Sequence, residues 1–296
     1  MCGFVGILGV DSAAPLLCTA LQAIQHRGQD AAGVGTYDRG RFHLQKDLGM
    51  VASALPAPVI NAIPGRSGIA HVRYPTVGSS TREDAQPFIT RRPGILLAHN
   101  GNVTNVPKLK EELLERGLHV LSECDSEPIL LVLADELTRL KPSQHTTEDL
   151  VVALGHLMRR VRGSYTVAAV LELDGRETLI AFRDPHGIRP GVYGNRSDGA
   201  WMVASESVAL DGLGFETLGL IPAGQVLIFR EGEDVATRAV EPLEKRHCVF
   251  ERIYFARPDS LMEGGRVYGQ RWRMGQRLAE EWESRGFGAD VVVPVP

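Results

Sequence analysis

The 296 residues, 44% hydrophobic and 23% charged, can bury a large core, enough for one large domain or one domain and part of another. A net charge of −4, with acidic and basic residues interspersed and no basic block, argues against nucleic acid as a partner. No run approaches the ~18 apolar residues that cross a bilayer, and the N-terminus lacks a basic region followed by a long apolar segment, so neither a membrane partner nor export is expected.

In chain order, Phe4 to Val10 reads as a buried strand. PLLCTALQAIQHRG reads as a helix, because Leu16, Leu17, Ala20, Leu21 and Ile24 recur at helical spacing before Gly28 ends it. Strand runs follow at AAGVGTY, RFHLQK, SGIAHVRY and GILLAH. Helices come next at PKLKEELLERG, SEPILLVLADELTRL and TTEDLVVALGHLMRRVRG, the last with Thr147 and Glu148 near its start and Gly163 at its end. Strands return at SYTVAAVLEL, TLIAFRD, WMVASES and QVLIFR. Strand blocks on either side of a helix block predict an α+β layered domain with largely antiparallel sheets.

Beyond about Glu241 the character changes. CVFERIYFA reads as one more strand, RVYGQRWRMGQRLAEEWESRG as an amphipathic helix ending at Gly286, and DVVVPVP as a β-branched apolar strand. Such a strand without a crossover helix to cover it predicts the entrance to a second, α/β domain.

The cysteines at 2, 18, 124 and 248 form no CxxC pair, which argues against a zinc site or a disulfide framework and fits a reducing cytoplasm. Cys2 is distinctive by position. Once Met1 is removed it carries a free α-amine beside its own thiol; the unperturbed values, ~7.7–8.0 and ~8.5, are close enough for the amine to take the thiol proton. Alone, this cysteine reads as a small buried hydrophobe. Its company changes that: HRGQD at His26 to Asp30, HVRYPT at His71 to Thr76, AHNGN at Ala98 to Asn102 and CDSE at Cys124 to Glu127 each set polar residues at the end of an apolar segment, where sites are usually built. Taken singly, Asn100–Gly101 also reads as a hairpin turn, Arg73 as a surface ion-pair partner and Asp125 as a helix N-cap. Spacing alone leaves open a thiol assisted by His26, His71 or His99.

In this order the motifs resemble the class II glutamine amidotransferases of the N-terminal-nucleophile hydrolase superfamily, over about residues 2–240. QHRGQDAAGVG, REDAQPF, SEPILL, RDPHGIRP and FERIYFARPDS at Phe250 to Ser260 are most similar to the amidophosphoribosyltransferase branch. The resemblance implies a four-layer αββα glutaminase domain over 2–240. Residues 241–296 would then be a linker strand, a helix and the first strand of an incomplete α/β phosphoribosyltransferase domain.

The resemblance also implies roles. Cys2 would attack the side-chain amide of L-glutamine, with the Asn100 side-chain amide and the Gly101 backbone N–H as oxyanion hole. Arg73 and Thr76 would hold the substrate α-carboxylate, Asp125 the α-ammonium, and Arg27 and Gly28 would shape the substrate-side loop over Cys2. The glutaminase half would need no cofactor. Phosphoribosyl pyrophosphate and Mg2+ would belong to the second domain, where ammonia gives 5-phosphoribosylamine in the first step of purine nucleotide synthesis; this chain by itself is expected to perform only the glutaminase half. Cys248 matches a position that in part of the family ligates a 4Fe-4S cluster, which takes four thiolates, so no metal is expected within this chain. A cytoplasmic homo-oligomer is implied at full length. Two rivals stand beside this reading: an N-terminal-nucleophile amidase acting on another amide, for which Arg73 and Asp125 are dispensable, and a non-catalytic truncated partner subunit associating through Val291 to Val295.

Overall fold

Residues 2–75 and 81–293 are described by the computed structural model. The chain begins with β1 (Gly3–Leu8), α1 (Ala13–Ala23), β2 (Ala31–Asp38), β3 (Arg41–Leu48), the short α2 (Val51–Ala54) and α3 (Ala57–Ile60), and β4 (Ser67–Arg73). It continues through β5 (Phe88–Arg91), β6 (Gly94–Val103), α4 (Val106–Glu115), α5 (Ser126–Leu140), α6 (Thr147–Arg160), β7 (Gly163–Leu173) and β8 (Arg176–Arg183). Then come β9 (Val192–Asn195), β10 (Trp201–Ala204), α7 (Val208–Asp211), β11 (Glu216–Leu220), β12 (Gln225–Phe229) and β13 (Ala236–Ala239).

Two sheets result. One has the order β11-β9-β10-β1-β4-β2-β3, the other β13-β12-β8-β7-β6-β5, and every pairing within them is antiparallel. Side-chain alternation explains how they stack. In β1, Phe4 and Leu8 point into a core shared with Leu96, Ala98, Val170 and Leu179 of the other sheet, whereas Val5 and Ile7 point away, against Leu17, Leu21 and Ile24. The second sheet does the same in mirror fashion. Ile95, Leu97, Val167 and Ile180 meet Leu109, Ile129, Leu133, Leu154 and Leu157 from α4, α5 and α6. Strands covered on both faces carry apolar residues at both parities, which is why β1 and β4 are buried along their whole length. Each large side chain so buried contributes ~1.5–3 kcal/mol. The layers are therefore helix, sheet, sheet, helix: the αββα sandwich that the resemblance implied. Helix α6 starts where its sequence dictates, since Thr146 and Asp149 form a reciprocal capping box.

The segment after β13 departs from expectation. CVFERIYFA is not a strand: residues Glu251–Phe255 form one π-helical turn, in which Glu251 is buried while Ile253 and Tyr254 face outward. A strand needs a neighbour for its backbone groups, and here a buried charged side chain fixes the backbone instead. The amphipathic helix is present as α8 (Val267–Ser284). Residues 291–293 form no strand and are exposed; 294–296 lie outside the described residues. Between β13 and α8 the chain is tied back to the sandwich: Leu261 N–H donates to Ser207 Oγ at 2.9 Å and Arg183 pairs with Glu263 at 3.0 Å.

Candidate active site

Cys2 lies just before β1, buried, at the end of the sandwich where β4 finishes at Arg73 and where β6 presents His99, Asn100 and Gly101. Its backbone N–H donates to Asn100 Oδ1 at 3.2 Å, a bond from one sheet to the other. The other end of the same amide, Asn100 Nδ2, is buried and has no hydrogen-bond partner among the described residues. Buried amide donors are seldom left unpaired. Asn100 and Gly101 lie inside β6 and pair with Thr166 and Tyr165 of β7, so they are not a turn. A Cβ on Gly101 would stand 2.1 Å from the Ser164 carbonyl oxygen, so the strands can close here only around glycine.

The Cys2 thiol donates to the Tyr74 carbonyl at 3.6 Å. Burial pushes its pKa up; the charged amino terminus and Arg73 pull it down without cancelling the burial, and Asp125 pushes it further up. A buried neutral thiol is a poor nucleophile and needs a base. The histidines do not serve. His26 Nε2 lies 2.8 Å from Glu206, His71 Nε2 lies 3.1 Å from the His99 carbonyl, and His99 Nδ1 lies 2.5 Å from Ser126 Oγ. Burial, reinforced by neighbouring His99, keeps His71 neutral. Among the described residues no imidazole hydrogen-bonds the thiol.

Arg73 closes β4 and is buried, so it is not a surface residue; its Nη1 lies 3.8 Å from Asp84 Oδ2. Gly28 lets the preceding loop lie against this strand, because a Cβ there would stand 2.6 Å from the Arg73 carbonyl carbon. Asp125 occupies the N-cap position of α5 without capping it. Its carboxylate instead accepts the Val103 N–H at 2.8 Å, with His99 Nε2 3.7 Å away, an ion-pair distance. Burial opposes its charge, but His99 and the Val103 N–H outweigh that and hold the carboxyl below its usual range. Thr76 and the loop through Ser80 lie outside the described residues.

Arg27 is fully buried. Its Nε donates to the Cys2 carbonyl at 3.0 Å, Nη1 to Glu206 at 2.5 Å, and Nη2 to both oxygens of Glu251 at 2.9 and 2.8 Å. A guanidinium so occupied holds the backbone of Cys2 to two buried carboxylates. Sequence reasoning gave no role to Glu206, Glu251 or Asp84. The signal for Glu206 was faint, an acid between two serines at the end of the apolar run WMVASES. Burial opposes its ionisation, yet Arg27 first and His26 next hold its carboxyl far below the usual range.

All four cysteines are free thiols. Cys248 Sγ has Arg189 Nη1 at 3.6 Å, and among the described residues no three His, Cys, Asp or Glu side chains are grouped to hold a metal. An iron–sulfur cluster takes four thiolates, so the residues present do not fit one. No helix of the described residues is long and apolar enough to cross a membrane.

Known proteins resemble this chain over its whole length. Residues 71–212 match the model of a glutamine amidotransferase domain. The amidophosphoribosyltransferase of Pseudomonas aeruginosa is 43% identical over an alignment that takes in 100% of this chain and 60% of the relative. A solved structure of the allosteric regulatory enzyme of purine biosynthesis superposes with a TM-score of 0.83 at 30% identity, covering 98% of this chain and 58% of that one. The glutamine phosphoribosylpyrophosphate amidotransferase of B. subtilis, complexed with ADP and GMP, gives 0.81 at 29% identity over 94% and 58%. The chain spans about three fifths of the length of the curated relatives it matches.

Proposed function

We propose that this chain is the glutamine amidotransferase part of an amidophosphoribosyltransferase, a reading supported by the domain match and by relatives of that name, and that Cys2 hydrolyses the side-chain amide of L-glutamine to glutamate and ammonia. Removal of Met1 places an α-amine beside the thiol. The amine takes the thiol proton, Sγ bonds to the amide carbon, and the carbonyl electron pair moves onto oxygen. Asn100 Nδ2 and the Gly101 N–H stabilise that oxyanion, one such donor being worth ~2.7–4 kcal/mol in other enzymes. The α-ammonium returns the proton to nitrogen, which leaves as ammonia when the C–N bond breaks. Water then attacks the thioester and gives a proton to the α-amine, the C–S bond breaks, the sulfur takes that proton back, and glutamate departs. Arg73 holds the substrate α-carboxylate with a planar fork, Asp125 the α-ammonium, and Thr76 adds a hydroxyl to the carboxylate. Gly28 and Arg27 keep the loop and Cys2 in register.

The observation that carries this reading is the divided Asn100 side chain, whose oxygen receives Cys2 N–H while its buried nitrogen has no partner among the described residues. The test is glutamate release by the purified chain, with Met1 removal verified by mass, beside Cys2→Ala. Turnover that disappears in the variant is expected; equal turnover in both sinks the assignment.

We extend the reading to the longer relatives' reaction. Residues 2–240 are the glutaminase domain and 241–296 lead into a phosphoribosyltransferase part, where phosphoribosyl pyrophosphate and Mg2+ bind and ammonia yields 5-phosphoribosylamine. A cytoplasmic homo-oligomer belongs to the same reading. Its support is the match over the whole of this chain to enzymes of that name.

A further inference from the structure

The segment FERIYFARPDS, outside the glutaminase domain as drawn from sequence, is stitched to the nucleophile. Glu206 Oε2 accepts the Arg257 N–H at 2.9 Å and the Ser260 hydroxyl at 2.6 Å, while its Oε1 meets Arg27 and His26. Glu251, on the π-helical turn, takes Nη2 of Arg27 on both its oxygens, with Arg189 Nη1 at 3.5 Å behind it. Single π turns recur at functional sites.

A guanidinium is planar. Once Nη1 is fixed by Glu206 and Nη2 by Glu251, the direction of Nε–H is fixed too, and it points at the Cys2 carbonyl. The two backbone polar atoms of Cys2 are thus held from opposite sides, its N–H by Asn100 and its carbonyl by Arg27. We propose that Glu251 is a positioning residue for Cys2, acting through Arg27, so that the segment following the sandwich completes the nucleophile's setting. Glu206 alone leaves the guanidinium free to swing about one contact, and a misplacement of about 1 Å at a reacting group can cost on the order of 100-fold in rate.

The test compares E251Q with E263Q. Glu263 also ties this segment to the sandwich, through Arg183, but does not touch Arg27. Iodoacetamide labelling of Cys2, followed by mass spectrometry across pH, reads the thiol without glutamine. In E251Q the labelling midpoint is expected to fall by about one unit as the thiol loosens toward solvent, giving about tenfold more thiolate below it. Glutamine turnover should fall at least tenfold with KM within about twofold. E263Q should leave both unchanged. Unaltered labelling in E251Q, or equal changes in E263Q, overturns the proposal. Should E251Q fail to fold by near-UV circular dichroism, E251D carries the same comparison, because its shorter side chain keeps the charge but cannot reach Nη2 with both oxygens. The turnover arm rests on the glutaminase reading; if no chain turns over glutamine yet the labelling contrast persists, that reading fails and the positioning stands.

Discussion

The side chain of Asn100 is divided between two tasks: its oxygen receives the backbone N–H of Cys2 at 3.2 Å, and its buried nitrogen has no partner among the described residues. A donor left unpaired 98 residues along the chain from a candidate nucleophile is the arrangement a developing oxyanion calls for. Asn100→Ala should lower kcat for glutamine hydrolysis by roughly 10²–10³ with little change in KM. Steady-state glutamate release decides it; a rise in KM alone would make Asn100 a ground-state contact.

Arg73 should be a substrate clamp. Arg73→Lys keeps a charge but loses the planar fork, so KM for glutamine should rise roughly tenfold while kcat stays within about threefold. An analogue lacking the α-carboxylate should be hydrolysed equally by both proteins. If the variant loses activity toward that analogue as well, Arg73 acts on structure and not on the carboxylate.

The raised thiol pKa has a measurable sign. In a chain that retains Met1, Cys2 should alkylate slowly at pH 7, and its labelling should climb with a midpoint above the ordinary thiol value of ~8.5. A midpoint below that value would mean that the charges around the thiol outweigh its burial.

Glu206 links the site to acid stability. Its carboxyl is depressed, so its contribution is complete above the unfolded value of ~4.3 and is lost as pH falls below it. Removing one partner of a buried pair costs ~3–5 kcal/mol, so Glu206→Gln should lower urea-unfolding stability by about that amount at pH 7. Between pH 7 and about 3.5 the gap between wild type and variant should narrow. A gap constant with pH would show that Glu206 acts by packing and not by charge.

What the sequence determined by itself was local and periodic. The 3.6-residue recurrence of Leu17, Leu21 and Ile24 set α1, and the apolar parity of Phe4 to Leu8 set a strand covered on both faces. The motif order around Cys2, Asn100, Arg73 and Asp125 marked a candidate site, because such groups sit where strands end, and its resemblance to the class II glutamine amidotransferases implied that the site cleaves an amide. The sequence misread CVFERIYFA as a strand, since an aromatic, β-branched run carries strand propensity whatever its tertiary partners.

Only the tertiary structure decided which polar atoms remain available. Among the described residues Asn100 Nδ2 has no partner, while Asp125 binds the Val103 N–H and not its own helix end, and Arg27 joins Cys2 to Glu206 and Glu251, contacts across 22 to 224 residues of chain. Periodicity carries no information at that range. A buried charge must find its partner wherever packing brings one, and the position of that partner depends on how both sheets and the returning segment stack.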